Sequence, residues 1–308
     1  MSSIEKISVI GAGAMGAFYA SKFFDMDNNC ISLVAKGERY ERLKGKGLIV
    51  NNRHYSLPVM RPEDNTPPSD LIIVAVKHHH LREAIQDIKN RIGENSLLIS
   101  VMNGIDSEEQ IAAVYGMDRV LYAVAVGIDA VRQGNVITCT TQGKLFFGEA
   151  RNPVLTQRVK LVQSLFERAG ISSETPEDMI RILWWKFMIN VGINQVSAVL
   201  RAPYGVFQRS QEARDLMESA MREVMTIARA AGVDLSEQDI DNWYSFLSGL
   251  SPQGKTSMLQ DVEARSKTEV EMFAGKVIEL GKTYGIPTPV NQTLFRLLKV
   301  IEQNFDEI

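Results

Sequence analysis

Ile7-Ser8-Val9-Ile10-Gly11-Ala12-Gly13-Ala14-Met15-Gly16 is the stretch that decides how this 308-residue chain begins to fold. A short β-forming run leads into a GxGxxG, and the residues after it read as a helix. Strand, glycine turn and helix in that order open a βαβ unit that binds a dinucleotide. Gly11 permits the tight turn, Gly13 lets backbone amides approach a pyrophosphate, and Gly16 lets helix and strand pack closely. The expected contacts of the cofactor are therefore Gly11, Ala12, Gly13, Ala14, Met15 and Gly16.

Working outward, the next β-rich run is Ile31–Ala35, followed by Lys36. NAD-binding units commonly carry Asp or Glu about 20 residues after the glycines, where it accepts from the ribose hydroxyls. A lysine there, with Arg39 close behind, suits the extra 2′-phosphate of NADP. Glu38 opposes that charge, and solvated basic residues on a following helix are the alternative reading. Further strands are expected at Leu71–Val76, Leu97–Val101 and Val120–Gly127, and unbroken apolar character at 71–76 implies burial on both faces. The pattern is that of a doubly wound, Rossmann-type α/β sheet. Val136–Cys139 and Lys144–Phe147, separated by Thr-Thr-Gln-Gly, read as an appended hairpin. Lys77 and Asn103 each follow the carboxyl end of an apolar strand, so they are expected to share one crevice with the glycines and Lys36. His78–His80 are adjacent and cannot all aim at one ion from a regular helix; they read as a solvated helix start, and no metal is expected.

Past residue 175 the strand signals stop and an all-α C-terminal half is expected. Thr175-Pro176-Glu177-Asp178 has the hydroxyl, proline and acids of a helix start. Later helices are expected over 211–231, from Ser236, and over 256–284 before Gly285-Ile286-Pro287. The resulting domains, 1–175 and 176–308, fit the usual roughly 100–200 residues each.

Residues 184–196 are apolar nearly all round, as in a buried helix. Lys186, Asn190 and Asn194 interrupt it at i, i+4 and i+8, one polar stripe on a buried face. Either the lysine snorkels while the amides bond a neighbouring helix, or the stripe holds a carbonyl-like ligand. Asp261, Arg265 and Glu269 fall at helical spacing and read as an ion-pair ladder. Ser257, near the start of that helix, is either a cap or a hydroxyl beside free amides that could receive a carboxylate.

Charge and cysteine usage narrow the partners. Thirty-four basic against 37 acidic residues give a formal charge of −3, which offers no basic field for nucleic acid or an anionic membrane. Cys30 and Cys139 lack metal-type spacing and fit a reducing compartment. No apolar run approaches the ~18–20 residues of a membrane span, and the amino-terminal run is too brief for a secretory signal. A cytoplasmic protein with a small-molecule partner is expected, and a homodimer is an assembly the sequence leaves open.

Gly11–Gly16, Lys77, Met102-Asn103-Gly104, Trp185-Lys186-Phe187 with Asn190 and Asn194, and Ser257-Met-Leu-Gln-Asp with Thr268-Glu269 together resemble the ketopantoate (2-dehydropantoate) reductase family. The resemblance implies NADPH-dependent reduction of 2-dehydropantoate to pantoate, a step of pantothenate biosynthesis, in a cleft between a Rossmann and a helical domain. It implies that Lys186 is the catalytic acid, that Asn190, Asn194 and Ser257 join it in binding substrate, and that Lys77, Asn103 and Ala130 line the cofactor. Glu269 would sit where cofactor and substrate meet, orienting Lys186. Two positions depart from the family: Lys36 and Arg39 replace an arginine directly after the second strand, and Tyr204 stands where some members place a substrate-binding asparagine. Reduction of another small 2-oxo acid, oxidation of a hydroxy acid with NAD, and a non-catalytic NADP(H) sensor are the alternatives.

Overall fold

The computed structural model describes residues 3–305. The outermost residues of the expected domain ranges, 1–2 and 306–308, lie outside the described residues, as do the first two residues of the run weighed as a secretory signal. The chain divides into two compact units between Ile182 and Leu183.

The first unit is built on β1 (Ile7–Ile10), α1 (Ala14–Met26), β2 (Ile31–Val34), α2 (Gly37–Lys46), β3 (Leu48–Val50), β4 (Arg53–Tyr55), β5 (Val59–Met60), β6 (Ser69–Val74), α3 (Leu81–Asp87), β7 (Ile92–Ser100), α4 (Ser107–Tyr115), β8 (Val120–Gln133), β9 (Val136–Gly148), α5 (Gln157–Arg168) and β10 (Ser173–Glu174). Six strands run parallel in the order β8-β7-β6-β1-β2-β5. The chain leaves β1 toward β2 on one side and returns on β6 at the other, so the order reverses at β1, where ligands of such sheets bind. Alternate residues of each strand go to opposite layers. Leu71 and Ile73 pack with Phe18, Tyr19 and Phe23 of α1 and Phe166 of α5, whereas Ile72 and Val74 pack with Leu81 and Ile85 of α3 and Ile111 of α4. That is why the β6 sequence is apolar without alternation: both faces are buried. Truncating Ile73, which is fully buried, would cost about 2–5 kcal/mol.

Beyond β8 the sheet continues through β9, β3 and β4, with β10 beside β9. The expected hairpin within 136–147 is absent. Val136–Gly148 is one strand paired antiparallel with β8, and the turn lies earlier, at Gly134-Asn135. The Thr-Thr-Gln-Gly segment that imitates a turn is instead paired, Thr141 with Asp129 and Gln142 with Ile128. Gly143 there has φ +57°, a conformation glycine adopts without strain inside an irregular strand. A hairpin unforeseen in the sequence joins β3 to β4 through Asn51-Asn52, both at positive φ, the backbone a two-residue primed turn requires.

The second unit is helical. α6 (Met179–Leu200) crosses into it and is followed by α7 (Tyr204–Arg209), α8 (Gln211–Ala230), α9 (Glu237–Ser248), α10 (Ser257–Glu263), α11 (Lys276–Tyr284) and α12 (Pro289–Gln303). The start of α6 falls later than expected, because Asp178 rather than Thr175 accepts from the Arg181 amide, at 3.0 Å. The single helix expected over 256–284 is two helices. α10 stops at Glu263, Arg265 takes φ +51°, and the Ser266 amide closes back on the Asp261 carbonyl at 2.8 Å, a Schellman-type ending. Asp261, Arg265 and Glu269 therefore form no continuous helical ladder. Among the described residues no helix is long and apolar enough to cross a membrane.

Candidate active site

The glycine turn has the shape its sequence implies. Gly11 sits at φ +98°, and a Cβ on it would run into the Ala75 carbonyl after β6. No other residue both tolerates that backbone and leaves that space. α1 then begins with no acid in its first turn and no side chain capping its amides, the condition under which a helix start is open to an anionic group. A pyrophosphate fits this cradle. Lys36 and Lys77 follow the carboxyl ends of β2 and β6 and Asn103 follows that of β7, so parallel pairing brings all three to the glycine edge of the sheet. His78–His80 form a short 3-10 turn leading into α3. Ala130 lies on β8 beside an irregularity between Asp129 and Ala130.

Lys36 is less open than its sequence position implies. Its ammonium lies 2.8 Å from Asp87 and 2.8 Å from Glu83, and hydrogen bonding to Asp87 and then Glu83 holds its pKa above the ordinary lysine value.

At the start of α4, after the Asn103 turn in the chain, is a group the sequence reading did not single out. Glu108 is fully buried. The Ser107 hydroxyl donates to it at 2.8 Å and lies 2.7 Å from the Ser100 hydroxyl, while the Ala123 amide donates at 3.4 Å. Burial outweighs these bonds and pushes its carboxyl up to about 7.

In the helical unit, α6 is apolar on all sides and packs Phe187 against Trp184 and Phe273. Along it, Lys186 and Asn190 are half-buried and Asn194 is buried. Burial lowers the Lys186 ammonium to about 8, with the Glu269 carboxylate pulling the other way. The structure thus brings Lys186 and Glu269 into one electrostatic environment although four helices, α7 to α10, lie between them in the chain. Glu269 owes its place to the break after α10: Thr268 donates to Glu302 at 2.6 Å, and a π-helical turn over Glu271–Gly275 follows. Gln195, fully buried, fixes that turn, since its amide oxygen accepts from the Ala274 amide at 3.0 Å while its nitrogen donates to Asn291 at 3.1 Å. Nothing in the sequence marks Gln195 beyond its place in an apolar helix.

Ser257 opens α10 and is exposed. The cap is its neighbour Thr256, which accepts from the Leu259 amide at 3.2 Å and is tied to Ser197 of α6 at 3.2 Å. The Ser257 hydroxyl is therefore not spent on capping, and Thr256 sets its distance from α6. Tyr204 donates its amide to the Gly254 carbonyl at 2.9 Å, and its ring leaves no room for a Cβ on Gly254.

Comparison with known proteins bears on the family and the fold. A family model described as "Ketopantoate reductase PanE/ApbA" matches residues 7–152, and one described as "Ketopantoate reductase PanE/ApbA C terminal" matches residues 178–302. The chain is 24% identical over 307 residues to a 2-dehydropantoate 2-reductase of Aquifex aeolicus, with 97% of each chain covered. The solved 2-dehydropantoate 2-reductase from Geobacter metallireducens GS-15 is similar at TM-score 0.85 and 25% identity, over 96% of this chain and 99% of the other. D-mandelate dehydrogenase, solved with NADH and anilino(oxo)acetate, shares the fold at TM-score 0.89 and 21% identity, over 98% and 99%. With both family models matched in order across most of its length, the chain belongs to the ketopantoate reductase family.

Proposed function

We propose that this protein reduces 2-dehydropantoate to pantoate with NADPH. The observation that carries the reading is Lys186: a lysine on an otherwise apolar helix, above two amides at one-turn intervals, whose ammonium burial lowers to about 8. Bound NADPH would supply the hydride that reaches the 2-oxo carbon. The residues of the chain do the rest. The Lys186 ammonium stabilises the alkoxide that develops on the former carbonyl oxygen and gives it a proton, a role suited to a group that titrates near neutral pH. Glu269 keeps that ammonium charged and oriented. Asn190, Asn194 and Ser257 bind the polar groups of the substrate, and the Gly11–Gly16 turn, Lys36, Lys77, Asn103 and Ala130 line the cofactor.

The 2-oxo acid reduction is the coarse part of this reading and the side chain accepted is the fine part. Tyr204, seated against Gly254, favours a second candidate, a 2-oxo acid bearing a different substituent, because pocket contacts decide specificity. The test is the initial rate of NADPH oxidation with 2-dehydropantoate beside a panel of other 2-oxo acids. Highest kcat/KM on 2-dehydropantoate supports the proposal, preference for another acid keeps the chemistry and changes the substrate, and no turnover on any acid overturns it.

A further inference from the structure

The lysine expected to meet a 2′-phosphate is already engaged within the chain. One ammonium, Lys36, faces two carboxylates, Glu83 and Asp87, each at 2.8 Å, so little of its charge is left for a phosphate. A strongly positive group lies elsewhere on the same edge. Arg132, near the end of β8, reaches back to the glycine turn: its Nη1 donates to the Ala12 carbonyl at 3.0 Å and its Nε to the Gly134 carbonyl at 2.7 Å. The guanidinium is thereby fixed against the GxGxxG itself.

Arg39 and Arg42 lie one turn apart on α2, so they project from one side of that helix, and both are exposed. Both act on Arg132, whose pKa is lowered first by burial and then by Arg42 and Arg39, with no carboxylate among the influences. Arg39 is also felt by the Glu83 carboxylate, whose strongest partner is Lys36. Gathering like charges is unfavourable unless an anion joins them, and a guanidinium with N–H groups to spare is matched to a phosphate. Arg132 has such groups, because its two hydrogen bonds use two of five donors.

We propose that Arg132, Arg39 and Arg42 together receive the 2′-phosphate of NADP(H), and that Glu83 and Asp87 cancel the charge of Lys36, so that selection of NADP over NAD rests on the arginines rather than on the lysine after β2. This rests on the reading of the glycine turn as a dinucleotide site. Lys36 remains a lining residue, and the two acids set how much of its charge the cofactor feels.

The experiment is titration of the full-length protein with NADPH and, separately, NADH, followed by cofactor fluorescence at fixed low ionic strength, where charge effects are least screened. Arg39→Gln with Arg42→Gln changes only exposed side chains; it is expected to weaken NADPH by about tenfold or more while leaving NADH within about twofold. Glu83→Gln with Asp87→Asn is expected to tighten NADPH severalfold and leave NADH unchanged. Equal weakening of both cofactors in the arginine variant, or unchanged NADPH affinity in either variant, would overturn the proposal while the glycine-turn reading stood. Failure of the unsubstituted protein to bind either cofactor would overturn both.

Discussion

Lys36 and Lys186 are the two lysines to which the proposed function gives cofactor and proton-donor roles, and their surroundings are opposite. Lys36 is exposed on the α/β unit, and hydrogen bonds to Asp87 and Glu83 raise its pKa. Lys186 lies on an apolar helix, and burial lowers its pKa to about 8, opposed by a single carboxylate at Glu269. The first keeps its charge at every pH the enzyme meets and can serve only as a fixed charge. The second can lose its proton just above neutrality, which is what a proton donor in turnover requires. The same contrast holds among the carboxylates: Glu83, exposed beside Lys36, is held below the usual range, whereas Glu108, buried at the start of α4, is pushed up to about 7.

Substitution should separate the two lysines. Lys186→Ala is expected to lower kcat by ~10²-fold or more while NADPH affinity, measured by titration, stays near that of the parent protein; normal turnover would remove Lys186 from its role. Lys36→Asp should do the reverse. It leaves three carboxylates together, so NADPH should bind about tenfold more weakly or worse, NADH much less so, and kcat at saturating NADPH should change little. Equal losses for the two cofactors would contradict the assignment of that edge to the 2′-phosphate.

A smaller effect is expected at Glu108. A carboxyl whose folded pKa is raised from 4.5 to about 7 is disfavoured in its charged form by folding. It therefore costs nothing at low pH and destabilises progressively as pH rises through that interval, fully above about 7. Glu108→Gln should leave urea stability unchanged near pH 4.5 and raise it by roughly 1–3 kcal/mol at pH 8.5. A pH-independent difference would mean that the side chain matters through packing alone.

What could be read from the sequence was what local spacing encodes. The GxGxxG after β1, the unbroken apolar strands around it, and the four-residue spacing of Lys186, Asn190 and Asn194 are all local patterns, and the glycine turn, the strands and the helix stand where those patterns put them. Terminations were less legible. Gln142-Gly143 looks like a turn but is paired strand, because only the register with β8 decides which glycine bends the chain. The 256–284 run has helical periodicity throughout, yet Arg265 takes a left-handed conformation that lets Thr268 reach Glu302 on α12. Long-range partners left no trace at all. Asp87, which occupies Lys36, is 51 residues away in the chain, and Arg132 is 120 residues from the Ala12 carbonyl it binds. A sequence motif names the charge at a site, whereas the fold decides what that charge faces.

The central claim is that Lys186 gives up a proton during turnover and that Glu269 sets when it can. It is tested most directly by kcat for 2-oxo acid reduction as a function of pH, at saturating NADPH, in the parent protein and in Glu269→Gln. Because the protonated lysine is the active form, kcat should be level below about 8 and fall about tenfold per pH unit above it. Because the carboxylate raises that pKa, its removal should move the break to lower pH. A profile that stays level through pH 9.5, or a break that Glu269→Gln leaves in place, would contradict the account.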